Sequence, residues 1–165
     1  MTHRISSLGS RKNGEHGAIA THLNAIVWMH AHNHHLGAVL SSETGFLLSQ
    51  PGLPDTVLAP DVSFVRAAHV PAQDSPDRSG YWRVAPDLVA EVISPSQFRP
   101  EMADKARLWL ASGARLVWIV WPRDRQVDVW LPSHDEPIAT LNAGDYLDGR
   151  DVLPSFTYPL ADLFA

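Results

Sequence analysis

The stretch "VAPDLVAEVISPS", residues 84–96, decides how the chain is read. Leu88, Val89, Ala90, Val92 and Ile93 form the near-continuous apolar run expected of a strand buried on both faces. Glu91 interrupts it. An ionised carboxylate in such a place is costly, so it neutralises, pairs, or binds a cation. An earlier segment, "LAPDVSFV" at 58–65, repeats the Ala-Pro-Asp opening and again runs into apolar residues.

Consecutive strands joined by a loop are by default antiparallel neighbours. The start of the first segment then lies opposite the end of the second, and Asp61 approaches Glu91. Asp87 is left at the far edge of the sheet. Four residues at ~3.3 Å each separate Asp87 from Glu91 by roughly 13 Å, too far to share one ion. The pair that can meet is therefore Asp61 with Glu91. Two carboxylates at a sheet, in a chain without thiols, suit Mg²⁺ or Mn²⁺, which take one or two carboxylates plus water and phosphate oxygens. Such an ion activates water and neutralises charge on a phosphodiester. Lys105, early in the next helix, is the nearest cation in sequence to complete the group.

Each of these residues also has a plainer reading. Asp61 and Asp87 fit caps or turn residues at strand starts. Glu91 fits a sheet edge or a pair with Arg115. Lys105 fits a solvated helix face beside Asp104 and Arg107.

Outward from that stretch, the order of elements is helix, strands, helix, strands. A helical pattern runs from Glu15 to about His30, with Ile19, Leu23, Ile26 and Val27 at three- and four-residue spacing. "NHHLG" (33–37) ends it, with histidines near the negative end of the dipole and Gly37 just past. "AVLSSETGFLLS" (38–49) and "DTVLAPDVSFV" (55–65) read as two strand-like runs joined by "QPGLPD". Residues 71–80 form a polar loop. "EMADKARLWLASG" (101–113) is a short helix closed by Gly113. "ARLVWIVWP" and "RQVDVWLP" make a hairpin around "RDR", and "LNAGDYLDGRDVLPSF" holds short strands around Gly-containing turns. The expected architecture is α/β, a mixed sheet with helices packed on it. Residues 1–14 read as a frayed terminus and 15–165 as one domain.

Composition narrows the function. The 165 residues contain no cysteine, which excludes disulfides, thiolate metal sites and cysteine nucleophiles, and fits a reducing, cytoplasmic setting. No apolar run approaches the ~20 residues of a membrane span. The net charge of −5 announces no basic stripe for nucleic acid, but is compatible with acidic residues that hold metal. His30 and His34 are spaced i, i+4, as a zinc pair would be. They lack an intervening HEXXH-type glutamate, and histidines at a helix C-terminus often serve only the dipole. Most of the six tryptophans sit among apolar neighbours and read as core.

The segments "APDVSFV", "PDLVAEVISPS", "DKARLWLASGARLVWIVWP" and "GDYLDGRDVLPSF", in this order and spacing, resemble the Uma-type putative restriction endonuclease family of the PD-(D/E)XK nuclease superfamily. The resemblance runs from about Glu15 to the C-terminus. It implies a restriction-endonuclease-like core, a sheet flanked by helices, that hydrolyses DNA phosphodiesters with Mg²⁺ or Mn²⁺. Carried over by position, Asp61 is the motif aspartate and Glu91 the acidic residue of the (D/E)XK element. Ile93 stands at the usual lysine position, and Lys105 from the following helix supplies the cation. Glu43, on the preceding strand, and His16, at the start of the first helix, are supporting residues. The Val92 backbone carbonyl joins Asp61 and Glu91 as a metal ligand, and a homodimer follows by analogy with nucleases that cut two strands.

The family's N-terminal helix and "YELIDGEL"-like hairpin have no counterpart here, Gln97 replaces an aspartate after "SPS", and Trp121 replaces the aspartate before Pro122. A second function class therefore stays open beside the Mg²⁺-dependent endonuclease: a catalytically silent member that binds a protein or nucleic acid as a scaffold.

Overall fold

The computed structural model describes residues 13–165. The first helix, α1, spans Gly14–Asn33 and is capped by the Asn13 side chain, which accepts from the His16 amide. The expected frayed segment thus falls outside the described residues up to Lys12. Asn13 and Gly14, assigned to it from sequence, instead cap and open the helix. Its buried stripe, with Ile19, Leu23, Val27 and Ala31, follows the helical period.

Six strands form the main sheet: β1 (Gly37–Ser41), β4 (Val62–Arg66), β5 (Leu88–Val92), β6 (Leu116–Trp121), β7 (Gln126–Trp130) and β8 (Ala139–Leu141). They lie in the order β1-β4-β5-β6-β7-β8. Only β5 and β6 are parallel, and α2 (Arg99–Ala111) makes the crossover that such a pair requires. The other neighbours are antiparallel. The architecture is mixed α/β.

Helices cover both faces. Leu88, Ala90 and Val92 turn toward the layer built by α1, while Val89 and Ile93 turn toward that of Met102, Ala106 and Trp109 on α2. This two-sided burial is why β5 reads as an apolar run broken only by Glu91. The α1 layer is extended by a hairpin of β9 (Tyr146–Asp148) and β10 (Thr157–Pro159), and by the one-turn helix α3 (Leu160–Leu163).

Two sequence runs divide where one strand each was expected. The first yields β1 and then β2 (Phe46–Leu48), and the second yields β3 (Thr56–Leu58) and then β4. The division in the second falls at Pro60, which has no amide to offer a ladder. β2 pairs with β3 in a separate ribbon over the α2 face, and β1 pairs with β4 in the main sheet.

The end of α1 also differs from its reading. The left-handed residue is His35 (φ 53°), and Gly37 instead opens β1, where a Cβ would collide with the Val65 carbonyl oxygen. Close approach of β1 to β4, not helix termination, requires that glycine.

Candidate functional site

Asp61 immediately precedes β4. The β4–β5 register pairs Val62 with Ala90, so antiparallel continuation sets Asp61 level with Glu91. The Val92 amide donates to Oδ2 of Asp61 at 2.8 Å. His16, buried in the first turn of α1, places Nε2 3.3 Å from the same oxygen. Its position follows from the Asn13 cap, since the His16 amide is the group that cap binds at 2.9 Å.

Glu91 is 4% exposed and shares its side of β5 with Val89 and Ile93. On that side runs α2. Lys105 sets its ammonium 3.0 Å from Oε1 of Glu91, and the Trp109 indole N–H donates to the same oxygen at 3.1 Å. Lys105 and Trp109 are four apart and so share one helix face. Burial pushes the Glu91 carboxyl above its ordinary value. The Lys105 ammonium pulls it back, the nearby Asp61 charge raises it again, and bonds from Lys105 and Trp109 lower it; burial prevails.

Asp61, Glu91, Lys105 and His16 therefore converge at one end of the β4–β5 pair, from the residue before β4, from β5 and from two helices. A cleft of about 560 Å³ beside α1 reaches His16 and Asp61 and is lined also by Ala20, Asn24, Trp28 and Ser41.

Glu43 does not sit on a strand. It is exposed in the turn between β1 and β2, because the chain leaves the ladder at Ser41. Arg115 pairs with Asp87 and Asp151, not with Glu91. Asp87 holds the opposite end of the strand pair, where Oδ2 accepts from the Arg66 amide at 2.9 Å. The α1 histidines are satisfied at the helix end: His30 bonds the Pro154 carbonyl oxygen, and His34 the His30 carbonyl oxygen.

Trp109 is the contact that sequence reading missed. Like most of the six tryptophans it reads as core, where its ring does lie, but its N–H serves Glu91. The i, i+4 spacing from Lys105 is the signal that could have found it. The two unusual residues have structural tasks. Gln97 accepts from the Ser94 amide, and Trp121 donates to Asp128.

The donor set fits a hard divalent cation. Among the described residues no group of three or more His, Asp or Glu side chains forms a ready cage. Two carboxylates completed by water and phosphate oxygens are what Mg²⁺ and Mn²⁺ accept. Burial disfavours an ionised Glu91, so a cation there relieves a real cost. Among the described residues no hydrogen bond reaches Oε2 of Glu91.

A family model described as "Uma2: Putative restriction endonuclease" matches residues 8–161. The fold is similar to the crystal structure of a putative nuclease belonging to DUF820 from Anabaena variabilis. That match has a TM-score of 0.78 and 17% identity, and covers 92% of this chain and 81% of that one. No curated protein matches. Among the described residues, no helix is long and apolar enough to cross a membrane.

Proposed function

Because the chain belongs to the Uma2 family of putative restriction endonucleases, we propose that it is a Mg²⁺-dependent endonuclease that hydrolyses DNA phosphodiester bonds. The observation that carries this reading is the convergence of Asp61, Glu91 and Lys105 at one sheet end.

Asp61, Glu91 and the Val92 carbonyl would hold Mg²⁺ or Mn²⁺. When bound, the ion supplies charge neutralisation at the phosphodiester and a more acidic water. The protein's own groups do the rest. His16 and the Val92 amide fix Oδ2 of Asp61 and so orient its carboxylate. Lys105 favours the ionised form of Glu91. Its side chain remains 31% exposed, so the ammonium can donate both to Glu91 and to the attacking water, or to the developing negative charge. Residues 13–165 act as the one catalytic domain. Cutting both strands calls for two copies of the site, which supports a homodimer. The cysteine-free composition supports a cytoplasmic location.

Plasmid DNA incubated with Mg²⁺ or Mn²⁺ tests the reading. Wild type is expected to cleave, and Glu91→Ala to lose about a hundredfold or more in rate. Equal cleavage by both proteins would discard it and leave the scaffold reading standing.

A further inference from the structure

Trp109 is completely buried, and its ring is fixed edge-on against Phe46, with centroids 6.3 Å apart at 81°. Its N–H and the Lys105 ammonium meet the same atom, Oε1 of Glu91, at 3.1 Å and 3.0 Å. Oε2 receives no hydrogen bond among the described residues. Among the described residues, the indole N–H groups of Trp118 and Trp130 have no hydrogen-bond partner. The Trp109 indole differs from these in that its placement over Glu91 gives its N–H an acceptor.

We propose that Trp109 is a positioning residue that makes Glu91 a one-oxygen ligand and so biases the site toward small, octahedral dications. The inference rests on the metal-dependent reading above and concerns how that site chooses its ion. With two donors on Oε1, the carboxylate has one oxygen left to offer. Mg²⁺ and Mn²⁺ take single oxygens in six-coordinate geometry. Ca²⁺ accepts more oxygens and commonly takes both from one carboxylate. Residues that orient a metal-binding carboxylate typically change metal affinity by about 10–100-fold when removed.

Calorimetric titration of the full chain with Mn²⁺ and, separately, Ca²⁺ tests this on wild type and Trp109→Phe, which keeps a ring but lacks the N–H. The variant is expected to bind Mn²⁺ roughly tenfold more weakly or worse, with a smaller loss for Ca²⁺, so that the preference narrows. A merely structural tryptophan would lower Tm without moving the ratio of the two affinities. An unchanged ratio in a folded variant overturns the inference while leaving the nuclease reading intact. If Trp109→Phe does not fold, wild-type NMR decides. The Trp109 indole resonance, assigned through the connectivity of its own residue, is expected to shift in step with Mg²⁺ saturation. A resonance that stays fixed while the site fills overturns the proposal. A wild-type protein that takes up no Mn²⁺ at all removes the metal-dependent reading itself, and this inference with it.

Discussion

The main-chain amide of Val92 donates to Oδ2 of Asp61 at 2.8 Å, across 31 positions of sequence. The bond lies where β5 leaves its pairing with β4, so it extends the ladder by one side-chain rung. The same carboxylate is thus both a structural acceptor and half of the acidic pair. Substitutions at Asp61 can separate the two roles.

Asp61→Ala leaves the buried Val92 amide without its acceptor, and is expected to cost about 1–3 kcal/mol of stability. Asp61→Asn keeps an oxygen for that amide and is expected to cost less. Both should bind Mn²⁺ much more weakly, because alanine offers no ligand and the neutral asparagine oxygen lacks the negative charge of a carboxylate. Urea unfolding and calorimetry on the same preparations check the two halves. Tight Mn²⁺ binding by Asp61→Asn would contradict the metal role.

Glu91 gives a pH prediction whose sign is fixed. Burial, opposed by Lys105 and reinforced by Asp61, raises its carboxyl above the ordinary 4.5. The folded protein therefore keeps this proton to higher pH than the unfolded chain does. Without metal, its contribution to stability is present below 4.5 and is lost as pH rises through the folded value. Glu91→Gln removes that loss. The variant's stability relative to wild type should grow as pH rises above 4.5, then level off. Tm measured across pH in a chelator would show it; a wild-type gain over the variant on raising pH through that window would refute it. Added Mn²⁺ should recover the wild-type deficit at neutral pH.

The Asp61–Glu91 meeting was legible because it needs only period-two strands and an antiparallel connection, both written in the two Ala-Pro-Asp segments. The run around Glu91 likewise announced a strand covered on both faces. Lys105 became specific only through the order of motifs, since a lysine on a short helix has no local signature. Trp109 was hidden by its own chemistry, for a large apolar ring reads as core whether or not its N–H has a task. The splitting of 38–49 and 55–65 was hidden for a different reason. Apolar alternation records that a segment is strand-like, not which sheet it joins, and here β2 and β3 leave the main sheet as a separate ribbon. The glycine at 37 was noticed for its place after a helix, while its actual constraint is the Val65 carbonyl on a strand nearly thirty residues away.

Asp128 on β7 illustrates a buried carboxylate with a structural task. Its Oδ2 accepts from the Trp121 indole at 2.8 Å and lies 3.2 Å from Arg99, while Oδ1 accepts from the Thr140 hydroxyl at 2.6 Å. Asp128→Ala leaves the Trp121 N–H without its acceptor and removes the Thr140 side-chain bond added to the β7–β8 ladder, at an expected cost of about 1–3 kcal/mol. Arg99 is half exposed and adds little. Mn²⁺ affinity should stay close to that of wild type, because the groups that bond Asp128 are Trp121, Arg99 and Thr140, and β6 separates its strand from the β4–β5 pair. A drop in the urea midpoint with intact metal binding is the expected result.

Asp87 offers the sharpest internal control, because it stands in the second Ala-Pro-Asp segment where Asp61 stands in the first. Its side chain is buried, with Oδ2 bound to the Arg66 amide and Oδ1 3.7 Å from Arg66 and 3.8 Å from Arg115. Its own amide donates to Phe64, and its carbonyl accepts from Arg115 and Leu116. It therefore ties β4, β5 and β6 together at the end away from Glu91, with four residues of strand, roughly 13 Å, between them. Asp87→Ala strips an acceptor from the Arg66 amide and should destabilise by about 1–3 kcal/mol, whereas Asp87→Asn should be milder. In either folded variant Mn²⁺ uptake and Mg²⁺-dependent cleavage should persist, in contrast to both Asp61 variants. If folded Asp87→Asn lost Mn²⁺ binding as completely as Asp61→Asn, the ion would have to be sought at the other end of the sheet, and the assignment of Asp61 and Glu91 as its ligands would fall.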